Sequence, residues 1–128
     1  MKPTELRIGN WINTIEGPAR IKAVSNEGVI TTSIMTRGDH LEFAKPIPLT
    51  EEILLSAGFH KSYAHRNPQF VLPINWPFVH EVRTELLCLE LVEGKFTSEH
   101  CFNRVILYVH QLQNLYFALT GQELDIKL

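Results

Sequence analysis

The segment Lys45–Phe59, KPIPLTEEILLSAGF, separates two stretches of the chain that have different patterns. Its two prolines interrupt any regular strand ladder and favour an extended connector. Thr50 follows as an N-cap residue, whose hydroxyl can accept a hydrogen bond from the first turn of a helix. Gly58 suits the left-handed residue that comes just after a helix. The segment therefore predicts a short, well-capped helix over 51–57.

The two glutamates of this segment belong to the predicted helix and do not indicate a catalytic pair. Glu51 and Glu52 lie in the first turn, where the helix dipole favours negative charge. Adjacent helix residues point in different directions, so the two carboxylates would not converge on one substrate. Leu49 and Leu54 flank the cap at the spacing of a hydrophobic staple, which is again a structural role.

The residues before this segment predict a small meander of β-strands. Turn signals recur at short intervals, at Glu16–Pro18, Asn26–Gly28 and Arg37–Asp39. The β-prone runs between and after them are NWINTI, ARIKAVS, GVITTSIM and HLEFA. Because a meander this small protects its edges best by curling, we expect an SH3-like β-barrel over 1–47.

The residues after the predicted helix predict antiparallel strands. KSYAH and QFVLPI flank RNP as the two strands of a hairpin, and NWPFVHEV is an irregular connector. RTELLCLELV is a long apolar strand that ends in the turn EGK, and we expect FTSEHCFNRV to be its partner. The C-terminal ELDIKL alternates in polarity and predicts a short closing strand.

The stretch Tyr108–Gly121, YVHQLQNLYFALTG, predicts one long helix. Apolar residues at intervals of three and four give a wide stripe suited to packing on a sheet. This stripe consists of Val105, Val109, Leu112, Tyr116 and Leu119. The expected fold class is α+β: an N-terminal SH3-like small β-barrel or meander, a short capped helix, then antiparallel strands packed by one long C-terminal helix. We expect subdomains at 1–47 and 48–128, which can form one continuous domain.

Composition and charge narrow the classes of function. The chain has 128 residues, a net charge of −2 and a pI near 6.3. Lys and Arg occur singly, whereas duplex binding draws its affinity from an excess of cations, so nucleic acid is disfavoured as a partner. The N-terminus lacks the apolar run of a signal peptide, and no stretch is apolar enough to span a membrane. We therefore expect a cytoplasmic protein with no membrane contact.

The sequence contains no recognisable catalytic or metal-binding motif. The six histidines do not follow the spacings of zinc sites, and neither cysteine belongs to a CxxC pair. Cys88 lies within LLCLEL, which predicts an inert core thiol, whereas Cys101 is the better candidate for a Cys–His nucleophile. No Gly-rich loop precedes a helix. We expect no catalytic residue, no metal and no cofactor.

The polar flank of the long helix supplies most of the candidate binding residues. His110, Gln113, Asn114 and Phe117 can face a groove, where side-chain amides offer paired donor and acceptor edges to a base or a peptide backbone. The alternative is that this flank is solvated or that its amides cap neighbouring strands.

Tryptophans outside the helix supply the remaining candidates. Trp76 lies in an aromatic-rich stretch with Tyr63 and Phe78, which suits a subunit interface in a homo-oligomer. Trp11 lies in the predicted barrel region that also contains several cations. These cations are Arg7, Arg20 and Lys22.

Three motifs in order, RIGNW, PIPLTEEILLSAGF and YVHQLQNLYFALTGQEL, resemble a group of small proteins without an assigned activity that are encoded by Bacteroidota and their phages or prophages. The similarity covers most of the chain. The resemblance implies a small cytoplasmic accessory protein of phage or mobile-element origin, and it carries no activity, cofactor or catalytic residue with it.

Three hypotheses about function follow. The first is a non-enzymatic protein-interaction protein that binds a host or phage protein and can self-associate. The alternative is a nucleic-acid or nucleotide-binding module formed by the SH3-like part and the amide-bearing helix. The third is a hydrolase that uses His and Cys residues.

Overall fold

The protein is an α+β structure with antiparallel sheets, seen in a computed structural model. The structure describes residues 5–25, 28–31, 44–63, 66–75, 84–98 and 104–128. Within these residues the strands are β1 (Trp11–Thr14), β2 (Gly17–Ser25), β3 (Gly28–Thr31), β4 (His60–Ser62), β5 (Gln69–Asn75), β6 (Thr84–Val92), β7 (Lys95–Ser98) and β8 (Arg104–Ile106). The helices are α1 (Glu51–Ser56) and α2 (Val109–Thr120).

The chain divides into two compact units that are not simple halves of the sequence. Unit 1 comprises Met1–Pro48 together with Tyr108–Leu115, and unit 2 comprises Leu49–Leu107 together with Tyr116–Leu128. The division therefore passes through α2. The boundary at residue 47 that the sequence suggests stays a prediction.

Unit 1 contains a three-stranded antiparallel meander in the order β1-β2-β3. Gly17 begins β2 directly after the turn with a φ of 110°, a value that glycine adopts at little cost. One face of the sheet is buried in a core of Leu6, Ile12, Ile21, Val29 and Ala44. The predicted strands NWINTI and ARIKAVS are confirmed. The described residues show an open sheet and no closed barrel, and HLEFA lies outside them except for Ala44.

Unit 2 begins with α1, whose two caps are formed as the sequence predicts. The Thr50 hydroxyl accepts a hydrogen bond from the Ile53 N–H at 3.3 Å. At the other end Gly58 has a φ of 99°. The N–H groups of Gly58 and Phe59 then bond the carbonyls of Leu55 and Leu54 at 3.2 and 3.1 Å. This pair of bonds is the Schellman motif, and it ends the helix.

The sheet of unit 2 has five antiparallel strands in the order β4-β5-β6-β7-β8. Pro73 lies in β5 beyond the three residues that pair with β4, so its missing N–H removes no bond to that neighbour. Glu93 and Gly94 both have positive φ, 51° and 77°, which is the backbone of a type I′ hairpin turn between β6 and β7. Phe70 and Phe96 meet edge to face at 5.6 Å in the buried layer.

Three features of the C-terminal region differ from the sequence expectation. The apolar stripe of α2 does not include Val105, which lies in β8 with 41% of its surface exposed. FTSEHCFNRV is the partner of the long strand only in part: its first residues pair with β6 as part of β7, whereas Arg104 and Val105 belong to β8. ELDIKL forms no strand, although Leu124 and Ile126 are buried between exposed neighbours as an alternating pattern requires; Leu128 is exposed and departs from that pattern.

Candidate binding surface

Gln113 of α2 is completely buried and pairs with the edge of β1. Its Oε1 accepts from the Trp11 backbone N–H at 2.8 Å, and its Nε2 donates to the Gly9 carbonyl at 3.1 Å. Further along the same edge, the backbone of Asn13 exchanges two hydrogen bonds with Lys45, at 2.8 and 3.0 Å. The Gln113 amide thus replaces a neighbouring strand for one residue pair.

Asn114 ties the N-terminal residues to the same part of α2. Its Oδ1 accepts from Asn10 Nδ2 at 2.8 Å and from Arg7 Nε at 3.2 Å. Its Nδ2 donates to the Glu5 carbonyl at 2.9 Å. Asn10 is also completely buried, and its Oδ1 accepts from the Arg7 backbone N–H at 2.7 Å. Both amides of the predicted polar flank therefore serve the fold of unit 1.

His110 is buried to 99% and lies parallel to the ring of Tyr108, with ring centroids 5.8 Å apart. Neither ring nitrogen has a hydrogen-bond partner among the described residues. Burial lowers the pKa of His110 because the charged form loses its solvation, while the Glu5 carboxylate acts in the opposite direction. The imidazole is therefore a neutral part of the interior at pH 7.

The candidate residues from the sequence do not form one site. His110 and Gln113 are buried in unit 1, and Asn114 is half-buried beside them. Phe117 is 39% exposed and belongs to unit 2, and Trp76 lies outside the described residues. A groove lined by the polar flank of the helix is not seen in the described part of the chain.

Trp11 instead belongs to the outward face of the unit 1 sheet. Its neighbour Ile12 is fully buried, so Trp11 points to the other side of β1. Arg20 lies directly opposite Trp11 in the register of β1 and β2. Its guanidinium carbon lies 5.3 Å from the centroid of the indole ring, the geometry of a cation–π contact. Trp11 Nε1 is buried and has no partner among the described residues.

Two lysines extend this face. A β-bulge lies between Ile21 and Ala23, and both Ile21 and Val24 pack into the core. Lys22 therefore points outward, next to Arg20 along the strand. Lys45 is exposed and pairs with Asn13, whereas the preceding Ala44 is buried, so Lys45 also points outward. We call the surface formed by Trp11, Arg20, Lys22 and Lys45 the basic face.

The basic face concentrates positive charge that is dispersed along the sequence. The backbone of Lys45 lies two strand spacings away from β2, and its position along the strands differs from that of Arg20 by two residues. The Cα atoms of Lys45 and Arg20 are therefore about 12 Å apart. No described carboxylate forms an ion pair with Lys22 or Lys45. Unit 1 contains six Lys and Arg against five Asp and Glu, and unit 2 contains six against nine, so their charges of +1 and −3 sum to the −2 of the chain.

Part of this surface was within reach of sequence reasoning. Trp11 and Arg20 lie on either side of the Gly17 turn, and each is adjacent in sequence to an apolar residue that alternation predicts to face inward. Strand periodicity alone would therefore place both side chains on the opposite, outward face. Lys45 carries no such signal, because its pairing with Asn13 joins residues that are far apart in sequence.

The other concave and reactive features are weaker candidates. A shallow depression of about 560 Å³ is lined by Thr50, Glu51, Glu52 and Leu55, and the Glu51 carboxylate already pairs with Lys61 at 2.8 Å. In the described part of the chain, no three His, Cys, Asp or Glu residues come together as a metal site would require.

Comparisons with protein-family models, with curated proteins and with solved structures find no match for this chain. No helix in the described ranges has both the length and the apolar character needed to cross a membrane.

Proposed function

We propose that this chain is a non-enzymatic binding protein whose unit 1 engages an anionic partner through the basic face. The observation that carries the proposal is that Trp11, Arg20, Lys22 and Lys45 lie on one side of a small sheet. Lys and Arg side chains around an aromatic ring attract and orient anionic groups. The sheet that carries these side chains is already folded, so its backbone does not have to be ordered when the partner binds.

The polar side chains of α2 and of the segment before β1 support a non-enzymatic role, because they already take part in the fold of unit 1. The side chains of Gln113, Asn114 and Asn10 form hydrogen bonds with other groups of unit 1. His110, the buried imidazole, has no described carboxylate or thiol bonded to it that would make it a catalytic base. Binding, in contrast, requires only the exposed cations of the basic face and the half-buried Trp11 ring.

An accessory role in a phage or mobile element is part of the proposal, and the resemblance described above supports it. In that setting the anionic partner is an acidic segment of a host or phage protein, or a nucleic acid. We also propose that unit 1 is SH3-like. The three-stranded meander and the pairing of Lys45 with β1 support this arrangement, since Lys45 places a further segment beside the first strand.

The proposal is tested with two polyanions of unrelated chemistry, a fluorescent oligoglutamate and heparin. The purified chain should bind both, and affinity should fall as salt is added. The double variant Lys22→Glu/Lys45→Glu should bind at least about tenfold more weakly, because it reverses two charges on the basic face.

The matched control is Lys95→Glu/Lys127→Glu, which makes the same change in net charge at two exposed positions of unit 2. It should retain most of the affinity. Equal losses in the two double variants would show that net charge alone controls binding and that the basic face is not a site.

A further inference from the structure

We infer that the anionic partner of the basic face is single-stranded nucleic acid, with the Trp11 ring as the surface on which a base stacks. This inference rests on the proposed function, which by itself requires only an anionic partner. Three observations favour a nucleic acid strand over an acidic protein segment.

The first observation is the position of the aromatic ring. Trp11 lies on the same face as the three cations and directly opposite Arg20, so the ring is at the centre of the charge and not at its margin. Proteins that bind single strands combine aromatic platforms for the bases with cations for the backbone. The Arg20 guanidinium already lies over the indole, and its flexible side chain can move from the ring to a phosphate as a base takes its place.

The second observation is the spread of the cations. Lys22 and Lys45 lie on opposite sides of the Trp11–Arg20 pair, at different heights along the strands. A strand that crosses the sheet over Trp11 would pass each of them in turn. Three engaged cations predict a slope of about −2 for log K against log salt with a single strand, since each neutralised phosphate contributes about −0.7.

The third observation concerns how a peptide would have to bind. One of the ways in which an extended peptide gains affinity is by adding a strand to a free sheet edge. The outer edge of β1 is occupied, because Gly9 and Trp11 bond the Gln113 amide and Asn13 bonds Lys45. A peptide on the basic face would therefore receive no backbone hydrogen bonds from this edge, whereas a base needs none in order to stack.

The experiment is a fluorescence-anisotropy titration of the full chain with a labelled single-stranded oligothymidylate of about fifteen nucleotides, long enough for one small binding site. The same oligonucleotide in a duplex and an oligoglutamate of equal charge serve as competitors. Raising the salt from about 50 to 200 mM should weaken single-strand binding roughly 15- to 20-fold if three phosphates are contacted.

Two substitutions of the ring separate stacking from folding. Trp11→Leu keeps an apolar side chain but removes the aromatic face, and it should weaken single-strand binding about 5- to 150-fold. Trp11→Phe keeps a ring and removes the buried Nε1 donor that has no partner, so it should bind within a few fold of the original protein. Lys22→Ala should reduce the salt slope by about 0.7, and Lys95→Ala in unit 2 should leave it unchanged. Thermal unfolding of each variant verifies that it is folded.

The outcomes distinguish the two proposals. Preferential single-strand binding that depends on the ring at position 11 and on Lys22 supports the inference. Equal affinity for oligoglutamate or duplex, or a Trp11→Leu variant that binds as well as Trp11→Phe, overturns the inference and leaves the proposed function in place. Failure to bind any of the polyanions in a salt-dependent manner overturns both.

Discussion

Gln113 shows how one side chain can complete a sheet. Its amide supplies the acceptor for Trp11 and the donor for Gly9 that a neighbouring strand would otherwise supply. A buried backbone group without a partner is costly, so the position requires both an acceptor and a donor in one side chain. Gln and Asn carry the acceptor and the donor on two separate atoms of one amide, and Asn is one methylene shorter.

Gln113→Leu should therefore destabilise the protein by about 2–4 kcal/mol, because two backbone groups lose their partners in a dry environment. Urea unfolding followed by circular dichroism measures the change. Gln122→Leu, at an exposed glutamine just beyond α2, is the control and should change stability by less than about 0.5 kcal/mol. A small effect of Gln113→Leu would mean that water or a rearranged strand replaces the amide.

His110 makes stability depend on pH in a direction that follows from its environment. Burial lowers its pKa in the folded state, whereas the unfolded chain has the ordinary value of 6.5. As the pH falls below this value, the unfolded state takes up a proton before the folded state does. The stability that depends on a neutral His110 is complete above about pH 6.5 and is lost progressively below it.

His110→Phe should reduce the loss of stability between about pH 7.5 and 5, because it removes the group that must stay neutral. Urea unfolding at both pH values gives this difference for each variant. His60→Asn, at an exposed histidine, should retain the pH dependence of the original protein. If His110→Phe has the same pH dependence as the original protein, the imidazole is protonated and accommodated in the folded state.

Helix α1 was predictable because the sequence signals for its two ends are local. The cap residue Thr50 and the terminating Gly58 act within one or two turns of the helix, and both perform the roles that the sequence indicates. The start of α2 was predicted to within one residue, but the extent of its apolar stripe was not. Val105 continues the helical repeat of apolar residues, but valine also suits a strand. The pairing of Val105 with Thr97 of β7 places it in β8.

Gly58→Ala tests the left-handed end of α1. The added Cβ would lie 3.5 Å from Leu72 Cδ1, an ordinary contact, so the expected loss of about 1–2 kcal/mol comes from the backbone conformation and not from crowding. Gly58→Asn should lose less, since Asn tolerates positive φ better than Ala does. Equal losses for the two variants in urea unfolding would indicate that space, and not φ, limits this position.

At the scale of the whole molecule, the distribution of charge matters more than its total. A net charge of −2 argues against an anionic partner when the chain is treated as one body. The division into units changes that argument, because unit 1 is slightly positive and three of its six Lys and Arg residues share one face. Composition alone could not show this, since the basic face depends on the bulge at Lys22 and on the return of Lys45 to β1.

The polar flank of α2 was difficult to interpret from the sequence because its partners lie far away along the chain. A hydrophilic helix face that meets solvent and one that meets strand edges have similar sequences. The deciding partners of Gln113 and Asn114 are the backbone groups of Glu5, Gly9 and Trp11, which are about a hundred residues away and carry no side-chain signal.

The division through α2 also sets the order in which the protein can form during synthesis. Unit 1 takes Tyr108–Leu115 from a later part of the chain, and with it the amide that covers the edge of β1. A nascent chain that has emerged only to Pro48 lacks that cover, and an uncovered edge invites pairing with other chains. The N-terminal sheet therefore stays incomplete on the ribosome until Gln113 has emerged, so termination before α2 would release an aggregation-prone fragment.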